Sequence, residues 1–295
     1  METEAEKILG LWLAVPRASV YSVAISPNGR ALASGGADRT VLVWELLTAR
    51  QLYILRGHSD WIYSVAISPD SQTLVSGSLD QTIKVWSLES GKEIHTLRGH
   101  SDTVCSVAIS PDGQRIVSGS KDTTIKVWDL NSGQELQTLT PHSDWVYSVA
   151  MTPDGQTIVS GCADGIIQVG EIGKLTGHAA SVTSVAISPD GQTIVSGSID
   201  ETIKVWDLKT GQELYTLQGH AGGVTSVAIS PDGKAIASGG NDKTVKIWDL
   251  KTGRNVESFT GHVEVVLSVV ISPDGQVLVS GTRNDVIKVW RMPNW

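Results

Sequence analysis

Residues 177–207 read GHAASVTSVAISPDGQTIVSGSIDETIKVWD, and this stretch decides the fold. Three runs rich in β-branched residues, SVAIS, TIVSGS and TIKVW, predict strands, and no segment shows helical periodicity. Pro-Asp-Gly at 189–191 predicts a hairpin, because proline presets one turn angle and glycine accepts positive φ. A second tight turn is predicted around Asp200, and a Gly turn leads to a fourth strand at Glu213 to Leu217. The stretch therefore predicts a unit of four antiparallel strands.

The same unit recurs along the whole chain. The aligned tryptophans are 42 residues apart except for one gap of 78, which equals 42 + 36 and places Gly170 where a seventh Trp would stand. The histidines of the Gly-His or equivalent dipeptides are 42 residues apart except for one gap of 36, and 42 residues before His58 stands Pro16. A fixed period of this length indicates a repeat architecture, here with seven units. The tryptophans are Trp44, Trp86, Trp128, Trp206, Trp248 and Trp290.

Composition narrows the function classes. The 295 residues carry a net charge of −8 and no block of Lys and Arg, which argues against binding a nucleic-acid backbone. No apolar run is long enough to span a membrane. The apolar residues 8–15 follow acidic residues rather than a basic region, so we expect no signal peptide and a cytoplasmic location. Cys105 and Cys162 form no metal-ligand or redox motif, which is consistent with a reducing compartment.

A period of 42, four strands per unit, a Gly-His start and a Trp-Asp end together resemble the WD-repeat β-propeller family. The resemblance extends from about Ile8 to Arg291, although the Trp-Asp dipeptide itself survives only at residues 128–129, 206–207 and 248–249. It implies an all-β fold, a single seven-bladed propeller of four-stranded antiparallel blades. Highly similar repeats of this kind resemble those of bacterial signalling proteins.

The two ends of the chain predict how the ring closes. The last unit runs out after its third strand, at Trp290-Arg291, while residues 7–13 align with the fourth strand at 51–55. We expect residues 7–13 to supply the outer strand of the last blade, which removes an open sheet edge. The predicted domain is then 7–291, between tails at 1–6 and 292–295.

Each unit contains Ser, His and Asp, the residue types of a hydrolase triad. An enzyme needs one such site, whereas a repeat needs one in every blade, so a structural role is preferred. In the family resembled, these side chains and the Trp form a hydrogen-bonded tetrad within a blade, which satisfies buried polar groups as a chain. The predicted tetrads are His58/Ser76/Asp80/Trp86, His100/Ser118/Asp122/Trp128, His178/Ser196/Asp200/Trp206 and His220/Ser238/Asp242/Trp248. Because the histidines stand one to a blade and cannot converge on one ion, no metal site and no cofactor are predicted.

Three units depart from the tetrad. The first has Val15-Pro16 in place of Gly-His, and the seventh has Asn284 where the Asp aligns, with Asp285 beside it. The fourth has Gly170 in place of Trp and is six residues short before His178. Drift explains such defects, since repeats tolerate single defective members. The alternative is a notch in the rim at 172–176 that leaves an edge open to strand addition by a partner.

When the seven units are aligned, each aligned position forms a column, and the columns that vary between otherwise similar units indicate which residues recognise a partner. Two such columns follow the Gly-His dipeptide, and a third precedes the turn Asp. In the family resembled, these positions face the top surface around the mouth of the central channel. Their aromatic and apolar members predict a partner-binding patch, since aromatic clusters mark binding hot spots. The predicted patch is Tyr21, Trp61, Tyr63, Leu79, Cys105, Trp145, Tyr147, Ile199 and Leu267.

The patch predicts a non-catalytic scaffold that binds a peptide or protein, and its rings suit an Arg or Lys side chain of that partner by cation–π contact. The alternative for the rings is core packing, although their equivalents are Ser, Gly and Thr, which would leave a cavity there. Three alternatives for the protein stay open at this point. They are a structural or sensor module of a larger signalling assembly, an engineered repeat propeller without a natural ligand, and an enzyme.

Overall fold

The computed structural model describes residues 8–14, 18–284 and 286–293, the first of these ranges as backbone alone. Its strands form seven antiparallel four-stranded sheets, each one a blade of a propeller. The predicted all-β, seven-bladed fold is therefore confirmed. No helix in the described part of the chain is long and apolar enough to cross a membrane.

The first four blades follow the chain in order. Blade one comprises β2 (Val20–Ile25), β3 (Ala31–Gly36), β4 (Thr40–Glu45) and β5 (Arg50–Arg56). Blade two comprises β6 (Ile62–Ile67), β7 (Thr73–Ser78), β8 (Thr82–Ser87) and β9 (Glu93–Arg98). Blade three comprises β10 (Val104–Ile109), β11 (Arg115–Ser120), β12 (Ile125–Asp129) and β13 (Glu135–Leu139). Blade four comprises β14 (Val146–Met151), β15 (Ile158–Cys162), β16 (Ile167–Val169) and β17 (Gly173–Leu175).

The last three blades repeat this order, and the final one takes its outer strand from the start of the chain. Blade five comprises β18 (Val182–Ile187), β19 (Thr193–Ser198), β20 (Thr202–Asp207) and β21 (Glu213–Gln218). Blade six comprises β22 (Val224–Ile229), β23 (Ala235–Gly240), β24 (Val245–Asp249) and β25 (Asn255–Phe259). Blade seven comprises β26 (Val266–Ile271), β27 (Val277–Thr282), β28 (Val286–Arg291) and β1 (Ile8–Ala14).

Strand β1 lies antiparallel to β28, with Ile8 opposite Trp290 and Ala14 opposite Val286. The described bounds are Ile8–Ala14, against the range 7–13 expected from the sequence. Lys7, the predicted tail at 1–6, Val15-Pro16, Asp285 and residues 294–295 lie outside the described residues. The pairing covers the outer edge of β28 and joins the two ends of the chain in one sheet.

Serines of the innermost strands connect the blades to one another. Val65 N–H donates to Ser22 Oγ of the preceding blade at 3.1 Å. The same contact recurs at every blade interface, including 3.1 Å from Val23 N–H to Ser268 Oγ, where blade one meets blade seven. The first Ser of each SVAIS run is therefore needed to satisfy a buried backbone donor, which explains its place in the repeat.

The blades also pack through glycine and tryptophan. A Cβ on Gly197 would lie 2.6 Å from Val224 Cγ1 of the next blade, so only glycine permits this approach. Trp86 packs into a buried cluster with Val41 and Leu55 of the preceding blade. The core thus consists of apolar layers between neighbouring blades, each of which holds one indole ring except the layer between blades three and four.

The hydrogen bonds of the tetrad are illustrated by blade two. Trp86 Nε1–H donates to Ser76 Oγ at 2.9 Å, and Ser76 Oγ lies 2.8 Å from His58 Nε2. On the other side of the imidazole, His58 Nδ1 lies 2.8 Å from the Asp80 carboxylate. Burial alone would raise the pKa of Asp80, but hydrogen bonds from His58 and Thr82 hold it well below its ordinary value. Blades three, five and six have the same contacts. In blade seven, Ser280 Oγ accepts the Trp290 indole N–H and lies within hydrogen-bond distance of His262 Nε2.

The tetrad serines of blades five and six lie in the interior of the fold. Ser196 Oγ accepts the indole N–H of Trp206 at 2.9 Å, and Ser238 Oγ accepts that of Trp248 at 2.8 Å. Ser196 and Ser238, two of the predicted tetrad serines, are both fully buried, at 0% exposure. A nucleophilic serine has to reach its substrate, so the hydrolase interpretation of these serines does not fit their positions. They connect strands within a blade and belong to no site that is open to solvent.

Blade four departs from the others at its outer strands. Strands β16 and β17 have three residues each, so the shortened fourth strand expected at 172–176 is present. Where the other blades hold an indole ring, a cavity of about 310 Å³ opens beside Ser160, lined by Ile125, Leu139 and Ile158 among others. The loss of one tryptophan has therefore left a gap in the core between blades three and four.

Candidate partner-binding site at the channel mouth

A cavity of about 440 Å³ lies where the innermost strands of all seven blades converge. The repeat explains this, because equivalent residues of seven units reach the same level around one axis. Six residues of the predicted patch line it, namely Tyr21, Trp61, Tyr63, Cys105, Tyr147 and Leu267. Leu79, Trp145 and Ile199 are not among its lining residues. The other lining residues are Lys121, Thr183, Thr225 and Arg283.

Three rings from blades one and two form a stack at one side of the cavity. The ring centroids of Tyr21 and Tyr63 are 4.8 Å apart, and those of Tyr21 and Trp61 are 5.8 Å apart. Trp61 is 41% exposed, whereas both tyrosines are half-buried. Burial raises the pKa of Tyr63 to about 12, so its phenol stays protonated at neutral pH and keeps its donor. The stack offers an apolar surface with polar tips.

A second pair of rings lies on blade four and is joined to the first group by a lysine. Trp145 and Tyr147 meet edge to face with centroids 6.0 Å apart, and Trp145 is 42% exposed. Lys121 Nζ lies 4.5 Å from the Trp145 ring and 5.9 Å from the Tyr63 ring. The exposure of Trp61 and Trp145 shows that these two rings are not core residues.

Lys121 changes the expected chemistry of the site. The hypothesis that the rings accept a cation from a partner is revised, because the chain's own ammonium already lies on Trp145. Lys121 and Arg283 bring two positive charges to the cavity, and none of the described residues that line it is acidic. Both cations stand in the same column as Leu79 and Ile199, one residue before the turn Asp or its equivalent. The sequence prediction of the patch included only the apolar members of that column. Charge within the column was the signal that could have identified them.

Cys105 lies among these rings but is not a nucleophile. Burial raises the pKa of its thiol to about 12, and Sγ lies 3.8 Å from the Thr103 carbonyl oxygen, to which it donates. A thiolate is the reactive form of cysteine, and this environment disfavours it. Cys105 is therefore a small residue that fills space at the channel wall.

A second group of polar side chains lies in blade four, where Cys162 pairs with Val146, the residue between Trp145 and Tyr147 of the patch. His142, Cys162 and Asp164 each offer one ligand atom, and these atoms lie within 4.8 Å of one another. Sequence reasoning excluded a metal site because the histidines stand one to a blade. That argument was incomplete, since one histidine meets two other ligand types on the neighbouring strand and turn. Their separation along the chain hid the group from a search for short motifs.

Comparison with known proteins agrees with the repeat count. The family described as WD domain, G-beta repeat, matches seven segments, at residues 13–45, 49–87, 91–129, 133–169, 170–207, 211–249 and 253–291. Ribosome biogenesis protein ERB1 of Chaetomium thermophilum is 58% identical over 41 residues, which are 14% of this chain and 5% of that protein. The probable serine/threonine-protein kinase PkwA of Thermomonospora curvata is 42% identical over 41 residues, 14% of this chain and 6% of that protein. Each similarity thus spans about one repeat and a small fraction of the relative's length.

Proposed function

This chain belongs to the WD-repeat family, whose propellers are typically protein-interaction scaffolds, and on that premise we propose that it binds a peptide or protein segment at the channel mouth. The observation that carries the proposal is the cavity in which the stacked rings of Tyr21, Trp61 and Tyr63 meet Lys121 and Arg283. An aromatic anchor beside a fixed charge is the arrangement of a binding hot spot.

The charges indicate the kind of segment that fits. Two cations without an acidic neighbour among the described lining residues favour a carboxylate, although the chain as a whole carries a charge of −8. The ring stack favours an apolar or aromatic side chain next to that carboxylate. We therefore propose an acidic segment that contains an aromatic residue as the ligand class, rather than a basic one.

A non-catalytic role is supported by the Ser, His and Asp sets. In blade two the serine hydroxyl lies between an indole donor and an imidazole, and Ser76 is fully buried. Ser118, Ser196 and Ser238 are buried to the same degree in blades three, five and six. The same arrangement in four blades satisfies polar groups and leaves each serine inaccessible to a substrate.

The test uses substitutions that the repeat itself supplies. Trp61→Ser and Tyr147→Thr place at these positions residues that other blades carry, as at Ser181 and Thr183. The hydroxyl of Thr183 donates to the Gly197 carbonyl at 3.0 Å, so threonine is compatible with the innermost strand. We expect the double variant to keep the thermal midpoint of the wild type within a few degrees.

The measurement is fluorescence-polarisation binding of two labelled peptide libraries, one with an aromatic residue among Asp and Glu and one with the acids replaced by Lys. The acidic library should yield binders of the wild type that lose at least about tenfold in affinity in the double variant, since a hot-spot truncation costs about 2 kcal/mol. Leu214→Ala is the matched control, because Leu214 is 52% exposed on the outer strand of blade five. Equal affinity of the double variant and the wild type for the selected peptides would refute the proposed site.

A further inference from the structure

We propose that His142, Cys162 and Asp164 in blade four form a site for a divalent transition-metal ion of the zinc class. The three ligand atoms, an imidazole nitrogen, a thiol sulfur and a carboxylate oxygen, lie within 4.8 Å of one another. Nitrogen, sulfur and oxygen from three residues, with a fourth position left to water, is a donor set that Zn²⁺ accepts. This site is separate from the proposed peptide site, and its test does not depend on that proposal.

The first observation is a buried nitrogen that lacks a partner. His142 is only 7% exposed, and its Nδ1 makes no hydrogen bond. The equivalent Nδ1 of His58 in blade two lies 2.8 Å from the Asp80 carboxylate. A buried polar atom without a partner costs about 1–3 kcal/mol, so His142 Nδ1 requires a compensating ligand.

The second observation is that the missing tryptophan changes what Ser160 can accept. In blade two, Ser76 Oγ accepts the indole N–H of Trp86. Gly170 provides no such donor in blade four, and Ser160 Oγ lies 2.7 Å from His142 Nε2. Ser160 Oγ can therefore accept a hydrogen bond from Nε2–H, and in that tautomer Nδ1 is the nitrogen that carries no proton. A metal-bound histidine commonly donates its other ring N–H in this way, which fixes both tautomer and ring orientation.

The third observation is that the ligand positions themselves differ from the other blades. Cys162 stands where blade two has Ser78, and Ile166 stands where it has Thr82, whose hydroxyl donates to Asp80 at 2.6 Å. Ile166 has no hydroxyl, so Asp164 does not receive that hydrogen bond. The substitution to cysteine places a sulfur ligand beside the Asp164 carboxylate, which accepts from the Ile166 N–H at 3.0 Å and from the Cys162 thiol.

The geometry requires only a small adjustment. Ligand distances of about 2.0–2.3 Å around a tetrahedral Zn²⁺ place ligand atoms about 3.3–3.8 Å apart. The present separations of up to 4.8 Å therefore close by about 1 Å. Asp164 is exposed, so its carboxylate can move and the ion can enter from solvent, while His142 and Cys162 are buried. Binding transfers the Cys162 thiol proton to solvent as the sulfur–metal bond forms.

Titration of the reduced full-length protein with Co²⁺ tests the proposal, because a thiolate ligand gives a sulfur-to-cobalt charge-transfer absorption in the near ultraviolet. We expect a band that saturates at one Co²⁺ per chain and disappears when Zn²⁺ displaces the ion. Cys162→Ser should abolish the band, and Cys105→Ser, which changes the other cysteine, should retain it. No saturable band in the wild type, or a band that survives Cys162→Ser, would overturn the site.

A second pair of variants covers the case in which Cys162→Ser fails to fold. Asp164→Asn changes an exposed side chain and should weaken Co²⁺ binding at least about tenfold, since even outer-shell changes cost about 10–100-fold. Asp144→Asn, an exposed carboxylate two residues from His142 but outside the ligand group, should leave the affinity unchanged. Equal affinities of the two asparagine variants would contradict the assignment of Asp164.

Discussion

Ser118→Ala tests whether the tetrad stabilises the blades as a chain of hydrogen bonds. Ser118 Oγ accepts the Trp128 Nε1–H at 2.9 Å and lies 2.8 Å from His100 Nε2, and all three residues are buried. The substitution leaves both the indole N–H and the imidazole nitrogen without this partner. At about 1–3 kcal/mol for each orphaned group, the free energy of unfolding should fall by about 2–6 kcal/mol.

Blade four supplies the matched comparison, because it lacks the tryptophan. Ser160→Ala removes only the contact with His142 Nε2, so we expect a loss of about 1–3 kcal/mol. The assay is equilibrium urea unfolding followed by far-ultraviolet circular dichroism, in the presence of a chelator so that no metal contributes. The midpoint should fall clearly further for Ser118→Ala than for Ser160→Ala at unchanged slope.

A double-mutant cycle makes the test stricter. In a Trp128→Phe background the indole donor is absent, so Ser118, like Ser160, has only its histidine as a side-chain partner. The cost of Ser118→Ala should then fall to about 1–3 kcal/mol, and the difference between backgrounds is the coupling of the two side chains. An equal cost of Ser118→Ala in both backgrounds would refute the idea that the indole donor depends on this serine.

Further predictions concern blade packing, pH and ring closure. Gly197→Ala should lower the free energy of unfolding by about 1–3 kcal/mol, because its Cβ would lie 2.6 Å from a valine methyl of the next blade. Gly275→Ser is its control in the same urea titration, since a serine with φ of 63° occupies the equivalent turn position in blade two. Burial lowers the pKa of His262 to about 3 from 6.5. Between these two pH values the unfolded chain binds a proton that the native chain does not. The free energy of unfolding should therefore fall from pH 7 towards pH 3 by up to about 5 kcal/mol. His262→Asn should reduce this fall in pH-dependent thermal melts. Deletion of residues 1–14 removes β1, so it should expose the edge of β28, lower the thermal midpoint and promote self-association in size-exclusion chromatography.

The repeat accounts for how much of the site could be predicted. Positions that vary within close copies indicated the aromatic column, and Tyr21, Trp61 and Tyr63 lie together at the channel mouth. The variable column before the turn Asp contained Lys121, yet the role of this residue depends on where its ammonium reaches. A flexible side chain finds its partner only in three dimensions, so the contact with Trp145 was beyond the sequence.

Blade four shows the same limit from another direction. The sequence showed Gly170 in place of a tryptophan and predicted a short fourth strand, and the structure contains that short strand. It did not reveal that His142 Nδ1 would lack a partner, because Asp164 is still present at its aligned position. Whether an aligned carboxylate reaches an imidazole depends on side-chain rotation and on the neighbouring Thr-to-Ile change at Ile166.

The sequence by itself determined the number of blades, the order of their strands and the side chains that meet in the four complete tetrads. It could do so because the repeats share the same turns and strand pattern, so seven copies predict the same four-stranded unit. Only the tertiary structure decided what gathers around the central axis and what each damaged unit exposes. The residues around the axis come from different blades, whose separation along the chain is unrelated to their distance in space. The group in blade four depends on side-chain rotation, which the repeat pattern does not specify.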